Sequence, residues 1–176
     1  MFYYRLKLED DRKRLISWWR RLDAERGERA ILRRAETADD VLLTPAFNNF
    51  LQRMSPDWRE RFNLFDSAMV AGLLARVSEH EPGLGFATAL ATPKRGAGKA
   101  AMSELRFAQL QKSRNPDEFF RRIGRALALI SGRVDVRSLA DDILHWLLEH
   151  RRIVDREPNK RLAVRWANDY YTSFRD

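Results

Sequence analysis

The stretch from Asn115 to Ser131 constrains the fold most, because it carries several start signals of an amphipathic helix in one run. Asn115 can cap the free amides, Pro116 suits the first helical position, and Glu118 stands three residues after the cap. Apolar residues then recur at three- and four-residue steps, at Phe119, Ile123, Ala126 and Ile130, and Phe120 and Leu127 widen this stripe. This spacing predicts a helix with one buried side.

Three arginines of this helix, Arg121, Arg122 and Arg125, fall off the apolar stripe and share a side. Two interpretations are open. Asp117 and Glu118 could pair with the arginines at i,i+3 and i,i+4, which would leave an ordinary solvated face. The face could instead bind anions, and the charge of the surrounding chain favours that interpretation.

The charge of the chain is strongly basic and unevenly distributed. The net charge is +8, and the basic residues are 27 Arg and 6 Lys. Residues 1–93 hold 15 basic and 14 acidic residues, whereas residues 94–176 hold 18 basic and 11 acidic residues. Because the arginine fork suits phosphate, this asymmetry is typical of a nucleic-acid-binding surface. An acidic protein or membrane surface would select a similar pattern.

The composition favours helices and excludes several kinds of chemistry. The 176 residues include 8 Gly and 6 Pro, and 44% of them are hydrophobic, which is typical of a helical domain with a real core. No cysteine is present, so disulfides, thiolate catalysis and Cys-type zinc sites are excluded. We expect a cytoplasmic protein with no membrane partner, because no apolar run approaches the roughly 20 residues that span a bilayer.

The order of helix signals predicts an all-α protein of two small helical domains. We expect an N-terminal helical domain over residues 1–92, a mobile, basic, Gly-containing linker loop over 93–102, and an antiparallel four-helix bundle over 103–176. Residues 55–78 are predicted to form one long central helix, and residues 2–8 a short strand or extended arm. No other segment has a convincing strand pattern. Helix starts are predicted at Asp10 or Asp11, Thr37, Thr44, Ser55, Ser103, Asn115, Ser138 and Pro158.

The sequence contains no convincing catalytic constellation, so we expect no enzyme, no cofactor and no metal site. His80, His145 and His150 lack metal-ligand spacing and are predicted to be surface or boundary residues. The loop at residues 96–100 lacks the strand and the Ser or Thr of a phosphate-binding loop. The adjacent carboxylates at 141 and 142 point about 100° apart on a helix and therefore do not converge on one ion.

Several short motifs together resemble the CasB family, the small subunit of the type I-E CRISPR surveillance complex Cascade. The resemblance runs from about residue 18 to residue 171. The motifs of the first half are Trp18-Trp19-x-x-Leu22, Arg29-Ala30-x-Leu32-Arg33-Arg34-Ala35 and Pro45-Ala46-Phe47-x-x-Phe50-Leu51. Those of the second half are Glu104-Leu105-Arg106-Phe107-x-x-Leu110, Arg121-Arg122-x-x-Arg125-x-Leu127 and Leu139-x-x-Asp142-x-x-x-Trp146.

This resemblance implies a non-catalytic subunit that contacts the guide RNA and target DNA backbones and helps to hold the displaced strand of the R-loop. It also implies other Cascade subunits as partners and a second copy of the chain packed head to tail. The implied nucleic-acid contacts are Arg33, Arg34, Lys112, Arg114, Arg121, Arg122, Arg125, Arg151 and Arg152. The alternative is a stand-alone helical adaptor whose basic face meets an acidic protein.

Overall fold

The computed structural model describes residues 6, 8–60, 63–94 and 96–174, and this part of the chain is almost entirely helical. The helices are α1 (Glu9–Arg21), α2 (Arg26–Arg34), α3 (Ala38–Leu42), α4 (Pro45–Arg53), α5 (Asp57–Glu60), α6 (Leu64–Leu74), α7 (Phe86–Ala91), α8 (Glu104–Gln111), α9 (Pro116–Leu129), α10 (Val136–His150) and α11 (Leu162–Ser173). Two short strands, β1 (Glu79–His80) and β2 (Arg133–Val134), and one 3-10 turn (Pro158–Lys160) complete the secondary structure described. The predicted all-α class is confirmed. Most of the strand or arm predicted at residues 2–8 lies outside the described residues.

Side-chain caps explain where four of the predicted helices begin. Thr37, Thr44, Ser103 and Asn115 each accept a hydrogen bond from the backbone N–H three residues later. The carboxylate of Asp40 in turn accepts a hydrogen bond from the backbone N–H of Thr37, which completes a capping box. These four starts are confirmed, because a cap needs only residues close in the chain.

The predicted long helix over residues 55–78 is wrong. Two helices occupy this segment instead, α5 and α6. The side chain of Asn63 accepts a hydrogen bond from the N–H of Asp66 at 2.8 Å and begins α6. Apolar residues recur through the whole segment, and this pattern suggested one continuous helix. The Asn63 side chain instead bonds to a backbone N–H, which favours the start of a new helix.

Two aspartates at or near predicted helix starts are instead bonded to distant parts of the chain. α1 begins at Glu9 without a side-chain cap. Asp11 is buried and accepts hydrogen bonds from the hydroxyl of Ser55 at 2.7 Å and from the indole of Trp58 at 3.4 Å. Asp141, three residues after the predicted start at Ser138, is also buried and accepts from the N–H of Leu6 at 3.1 Å.

The last two helices also begin at other residues than the sequence indicates. Asp135 caps α10 and accepts from the N–H groups of Arg137 and Ser138, so Ser138 lies inside the helix. Pro158 opens only the 3-10 turn, and α11 begins at Leu162. The N–H of Leu162 donates to the carboxylate of Glu149 at 2.9 Å, which ties the start of α11 to α10.

A short parallel pairing joins the ends of α6 and α9, although the sequence predicted no strand there. Glu79 pairs with Arg133, and His80 pairs with Val134. Gly132, at a φ of 68°, accepts hydrogen bonds from the backbone of Ser78 and Glu79. Strands of two residues carry no alternating pattern, so only the tertiary structure reveals them.

The core centres on α6, which is buried along nearly its whole length. α6 packs against α3 on one side and against α9 and α10 from the second half, while α11 packs chiefly on α7. The buried hydrophobic residues form one cluster that includes residues from both sides of the loop 93–102. Pro93 and Ala100 are bridged across that loop. The division of the chain into two domains there stays a prediction.

Candidate nucleic-acid interface

The two outermost arginines of α9 project into solvent because the helix buries its opposite side. Phe119, Ile123 and Ala126 are fully buried, whereas Arg121 and Arg125 are exposed. Neither arginine has an ion-pair partner among the residues described. They stand at i,i+4, where two like charges repel each other along the helix surface. We call Arg121 and Arg125 the α9 face.

Arg122 has a different environment from its two neighbours. Its guanidinium contacts the carboxylate of Glu118 at 2.5 Å and donates to the backbone carbonyl of Gln109 at 2.5 Å. A longer bond of 3.4 Å reaches the hydroxyl of Ser113. Arg122 therefore holds α9 against the end of α8, and the solvated-pair interpretation applies to this arginine.

A groove of about 330 Å³ lies between α8 and α9, next to the α9 face. Arg106, Arg122 and Arg125 line it together with apolar side chains such as Leu129. Arg106 is exposed and has no ion-pair partner within the described ranges. Arg106 is not among the contacts that the resemblance implies, and the groove identifies it as a neighbour of the α9 face.

Lys112 and Arg114 occupy the turn that leads from α8 into α9. Both side chains are exposed. The backbone N–H of Arg114 donates to Glu118 at 2.9 Å, so the main chain of the turn is held while the guanidinium remains available. The turn therefore adds two cations just before α9.

Arg76 connects the predicted contacts of the first half to α9. Its guanidinium donates to the carbonyls of Arg33 at 3.2 Å and Ala35 at 2.5 Å, at the end of α2. The same group lies 4.8 Å from the ring centre of Phe120. A Cβ atom built on Gly124 would lie 3.3 Å from it, so the end of α2 and the middle of α9 share one cation. Burial, and then the charge of Arg33, lower the pKa of Arg76 below its ordinary value.

Arg33 and Arg34 are exposed on the last turn of α2, beside this junction. Neither has an ion-pair partner in the part of the chain that the structure describes. The intradomain salt bridge that would explain them structurally is therefore not present among these residues. Their position at the α2–α9 junction brings them into the same region as Gly124.

Arg151 and Arg152, the last two predicted contacts, differ from each other. The two terminal guanidinium nitrogens of Arg151 donate to the buried carboxylate of Asp66, one of them at 2.7 Å. This hydrogen bonding raises the pKa of Arg151 and ties the end of α10 to α6. Arg152 is exposed, at a φ of 67°, and has no ion-pair partner among the described residues. Only Arg152 of this pair leaves its charge free.

The histidines and carboxylates make structural contacts in the described ranges. His145 is fully buried, which corrects its predicted surface or boundary position. It lies 2.8 Å from the carboxylate of Glu149 and 2.9 Å from the guanidinium of Arg165. Arg165 and Trp166 also donate to Asp142, whose pKa is raised by burial. No group of three or more metal-ligating side chains is placed to hold an ion in this part of the chain.

Sequence reasoning missed a second basic surface, a groove between α1 and the start of α10. It contains Lys13 and Arg20 from α1 and Arg137 from α10. Lys13 and Arg20 are seven residues apart and therefore share a helix side, which is the one signal that could have identified them. The near-neutral charge of residues 1–93 concealed this signal.

Comparisons with known proteins agree with the fold and with the resemblance drawn from the sequence. A family model described as CRISPR-associated protein Cse2 matches residues 28–171. A protein from Thermus thermophilus with the same description is 26% identical over 165 residues, which cover 90% of this chain and 89% of that protein. The crystal structure of CasB from Thermus thermophilus superposes with a TM-score of 0.62 at 27% identity, over 91% of this chain and 97% of that one. No described helix is both long and apolar enough to cross a membrane.

Proposed function

Because the chain belongs to the CRISPR-associated Cse2 family, we propose that it is the non-catalytic small subunit of a type I-E Cascade complex and binds nucleic-acid backbones. The phosphate contacts come from the α9 face, the preceding turn, the end of α2 and Arg152. In the assembled complex these contacts hold the guide RNA, the target DNA and the displaced strand of the R-loop. Other Cascade subunits and a second, head-to-tail copy of the chain are its protein partners, in the cytoplasm.

The observation that carries this proposal is the shared position of Arg76 between α2 and α9. Because Arg76 contacts both helices, cations that are about 90 residues apart in the sequence, such as Arg33 and Arg125, lie in one region of the surface. Like charges gathered without partners reduce stability slightly, so their accumulation favours a polyanionic ligand. Arg121 and Arg125 are the clearest case, because neither forms an ion pair within the described residues. Asp117 stands four residues before Arg121 without pairing with it, and Glu118 pairs with Arg122.

The contacts proposed here carry no sequence information. Arginines that meet phosphates fix the position of a strand, while base edges specify sequence. In RNA-guided complexes the guide supplies that specificity by base pairing, so a subunit of this kind needs only charge and shape. Binding should therefore tolerate any sequence.

The test with the isolated chain is fluorescence anisotropy of a labelled single strand of arbitrary sequence at several salt concentrations. The Arg121→Ala/Arg125→Ala variant should weaken binding at least about tenfold, a change of about 1.4 kcal/mol. Its log–log salt slope should fall by about 1.4, because each neutralised phosphate of a single strand contributes about 0.7. The matched control is Arg26→Ala/Arg59→Ala, which removes two exposed arginines outside this surface.

The test in the assembly is the lifetime of R-loops formed by Cascade that has been rebuilt with each variant. We expect shorter R-loop lifetimes with Arg121→Ala/Arg125→Ala and wild-type lifetimes with the control pair. Unchanged lifetimes with normal incorporation of the variant would contradict the proposed role. Loss of binding to an acidic protein, with unchanged strand binding, would instead favour the adaptor.

A further inference from the structure

A groove of about 510 Å³ lies between α1 and the junction of β1 with α10, away from the α9 face. Cationic and titratable side chains dominate its lining, and Ile16 contributes an apolar patch. The charged and titratable lining residues are Glu9, Arg12, Lys13, Arg20, His80 and Arg137, so one carboxylate stands among five basic side chains. α1 packs on α4 and α10, whereas α9 packs on α3, α6 and α8, so the two surfaces rest on different parts of the core.

The groove is positive because the acidic side chains near it are already engaged. Glu9 pairs with Arg12 at 3.6 Å, and Asp10 pairs with Arg14 at 2.7 Å. Asp11 turns into the core towards Ser55. Each carboxylate of the first turn of α1 is thus directed to a partner of its own, and none of the three pairs with Lys13 or Arg20.

Two cations of α1 remain free for a ligand. Lys13 and Arg20 are exposed, and neither has an ion-pair partner among the residues that the structure describes. Seven residues separate them, which corresponds to about 10 Å along the helix axis. Along the axis of a duplex each strand carries one charge per about 3.4 Å, so this separation corresponds to a few nucleotides of one strand.

The opposite wall of the groove adds a third cation on a rigid support. Arg137 lies in the first turn of α10, and its guanidinium approaches Asp135 at 3.6 Å while 36% of the side chain stays exposed. His80 fixes the same turn, because its Nδ1 atom accepts from the N–H of Val136 at 3.1 Å. The wall is therefore preorganised by two side-chain caps, Asp135 and His80.

We propose that the α1–α10 groove is a second phosphate-binding surface, separate from the α9 face, that takes the sugar-phosphate backbone of a nucleic-acid strand. An evenly spaced polyanion fits cations set along one helix. An acidic peptide would bind such a helix less well, since the internally bonded backbone of α1 offers no edge for strand pairing. One chain then holds two strand segments at once. The choice of ligand class rests on the proposed function, while the site itself rests on this geometry.

The experiment is isothermal titration of the full chain with a single strand of about eight nucleotides, within the range that one basic binding module covers. Low ionic strength keeps the electrostatic contacts strong. The variants are Lys13→Glu/Arg20→Glu for the groove, Arg121→Glu/Arg125→Glu for the α9 face, and all four substitutions together. Arg26→Glu/Arg59→Glu is the control with the same charge change. All substituted side chains are exposed, and circular dichroism checks that each variant is folded.

The wild type and the control should bind two strands per chain, and each double variant one. The fourfold variant should bind none. Stoichiometry per chain distinguishes the sites even if the protein dimerises. A groove variant that still binds two strands with unchanged affinity would overturn the second site, as would a wild type that binds one strand at the α9 face alone. An α9 variant that still binds two strands would instead contradict the proposed function of the α9 face.

A competition arm separates the two classes of polyanion. A poly-glutamate peptide of equal charge is titrated into the Arg121→Glu/Arg125→Glu variant, in which only the groove remains. We expect the peptide to bind at least about tenfold more weakly than the strand, because arginine forks match phosphate geometry and gain from several contacts along a backbone. Tighter binding of the peptide would overturn the assignment to nucleic acid.

Discussion

The α9 face and the α1–α10 groove carry the same kind of charge, but different levels of structure create them. Arg121 and Arg125 are neighbours on one helix, and the local sequence places them opposite a buried stripe. The groove combines α1 with a wall that is more than 110 residues later in the chain, at Arg137. Its positive charge also depends on where the carboxylate of Asp11 points.

This difference limits what a charge count along the chain can reveal. The second half has a clear basic excess, whereas residues 1–93 have a net charge of +1. In the folded chain, however, several acidic groups of the first half are bound by neighbouring or buried partners. A near-neutral segment can therefore still present a basic surface, because folding decides which charges face solvent together.

A substitution of Arg76 should have the largest effect on one surface alone, because Arg76 supports the region of the α9 face and not the groove. Arg76→Met should lower the free energy of unfolding by about 2 to 4 kcal/mol, through loss of charged hydrogen bonds and of the contact with Phe120. Urea unfolding measures the effect. Arg121→Met, at an exposed position of the same surface, is the control. A loss below about 0.5 kcal/mol for Arg76→Met would mean that α2 and α9 do not depend on this junction.

A substitution of Asp11 tests the groove, which is the other surface in this comparison. Asp11→Ala leaves the half-buried hydroxyl of Ser55 and the buried indole N–H of Trp58 without this acceptor, so we expect a loss of about 1 to 3 kcal/mol in unfolding free energy. Asp10→Ala should cost less than about 1 kcal/mol, since Asp10 forms an exposed pair with Arg14. Equal losses for the two variants in thermal or urea unfolding would contradict the inward role of Asp11.

Arg121 and Arg122 are neighbours on α9. They test whether one helix carries a structural arginine beside an arginine that binds the ligand. Arg122→Gln should lower the free energy of unfolding by about 1 kcal/mol, because it removes the bond to Gln109 and the pair with Glu118. Arg121→Gln should change stability by less than about 0.5 kcal/mol but weaken strand binding several-fold. Urea unfolding and anisotropy, measured on both variants, should therefore give opposite rankings. The same ranking in both measurements would remove the distinction.

The smallest expected effect is a pH dependence of stability that comes from His80. The α9 face, which consists of two arginines, contains no such group. Burial lowers the pKa of His80, with Arg137 and Arg20 acting in the same direction and Asp135 opposing them. Below about pH 6.5, His80 is therefore protonated in the unfolded chain, whereas the folded chain disfavours its protonation. The contribution of His80 to stability is therefore present above this pH and is lost as the pH falls through the folded pKa.

The His80→Gln variant should accordingly show a flatter pH dependence of stability between about pH 5 and 7. Thermal unfolding across this range measures it, and His150→Gln, which removes an exposed histidine, is the matched variant. A steeper dependence in His80→Gln than in the wild type would show that the imidazole is stabilised in its charged form.

The sequence determined the parts of this protein that depend on near neighbours in the chain. Helix periodicity and caps such as Asn115 indicated α9 with its buried stripe and exposed arginines, because a helix sets side-chain direction within a few residues. Ordered short motifs also identified the family. The continuous helix predicted over residues 55–78 failed at Asn63, where a local cap competed with an apolar stripe.

Only the tertiary structure decided which charges are free. It bound Arg151 to Asp66 and Arg122 to Gln109, joined α2 to α9 through Arg76, and assembled the α1–α10 groove. The physical reason is that an ionic group satisfies its bonding wherever the fold offers a partner, at any separation along the chain. Sequence spacing describes one helix at a time, whereas the charge available to a ligand is what remains after all helices have packed.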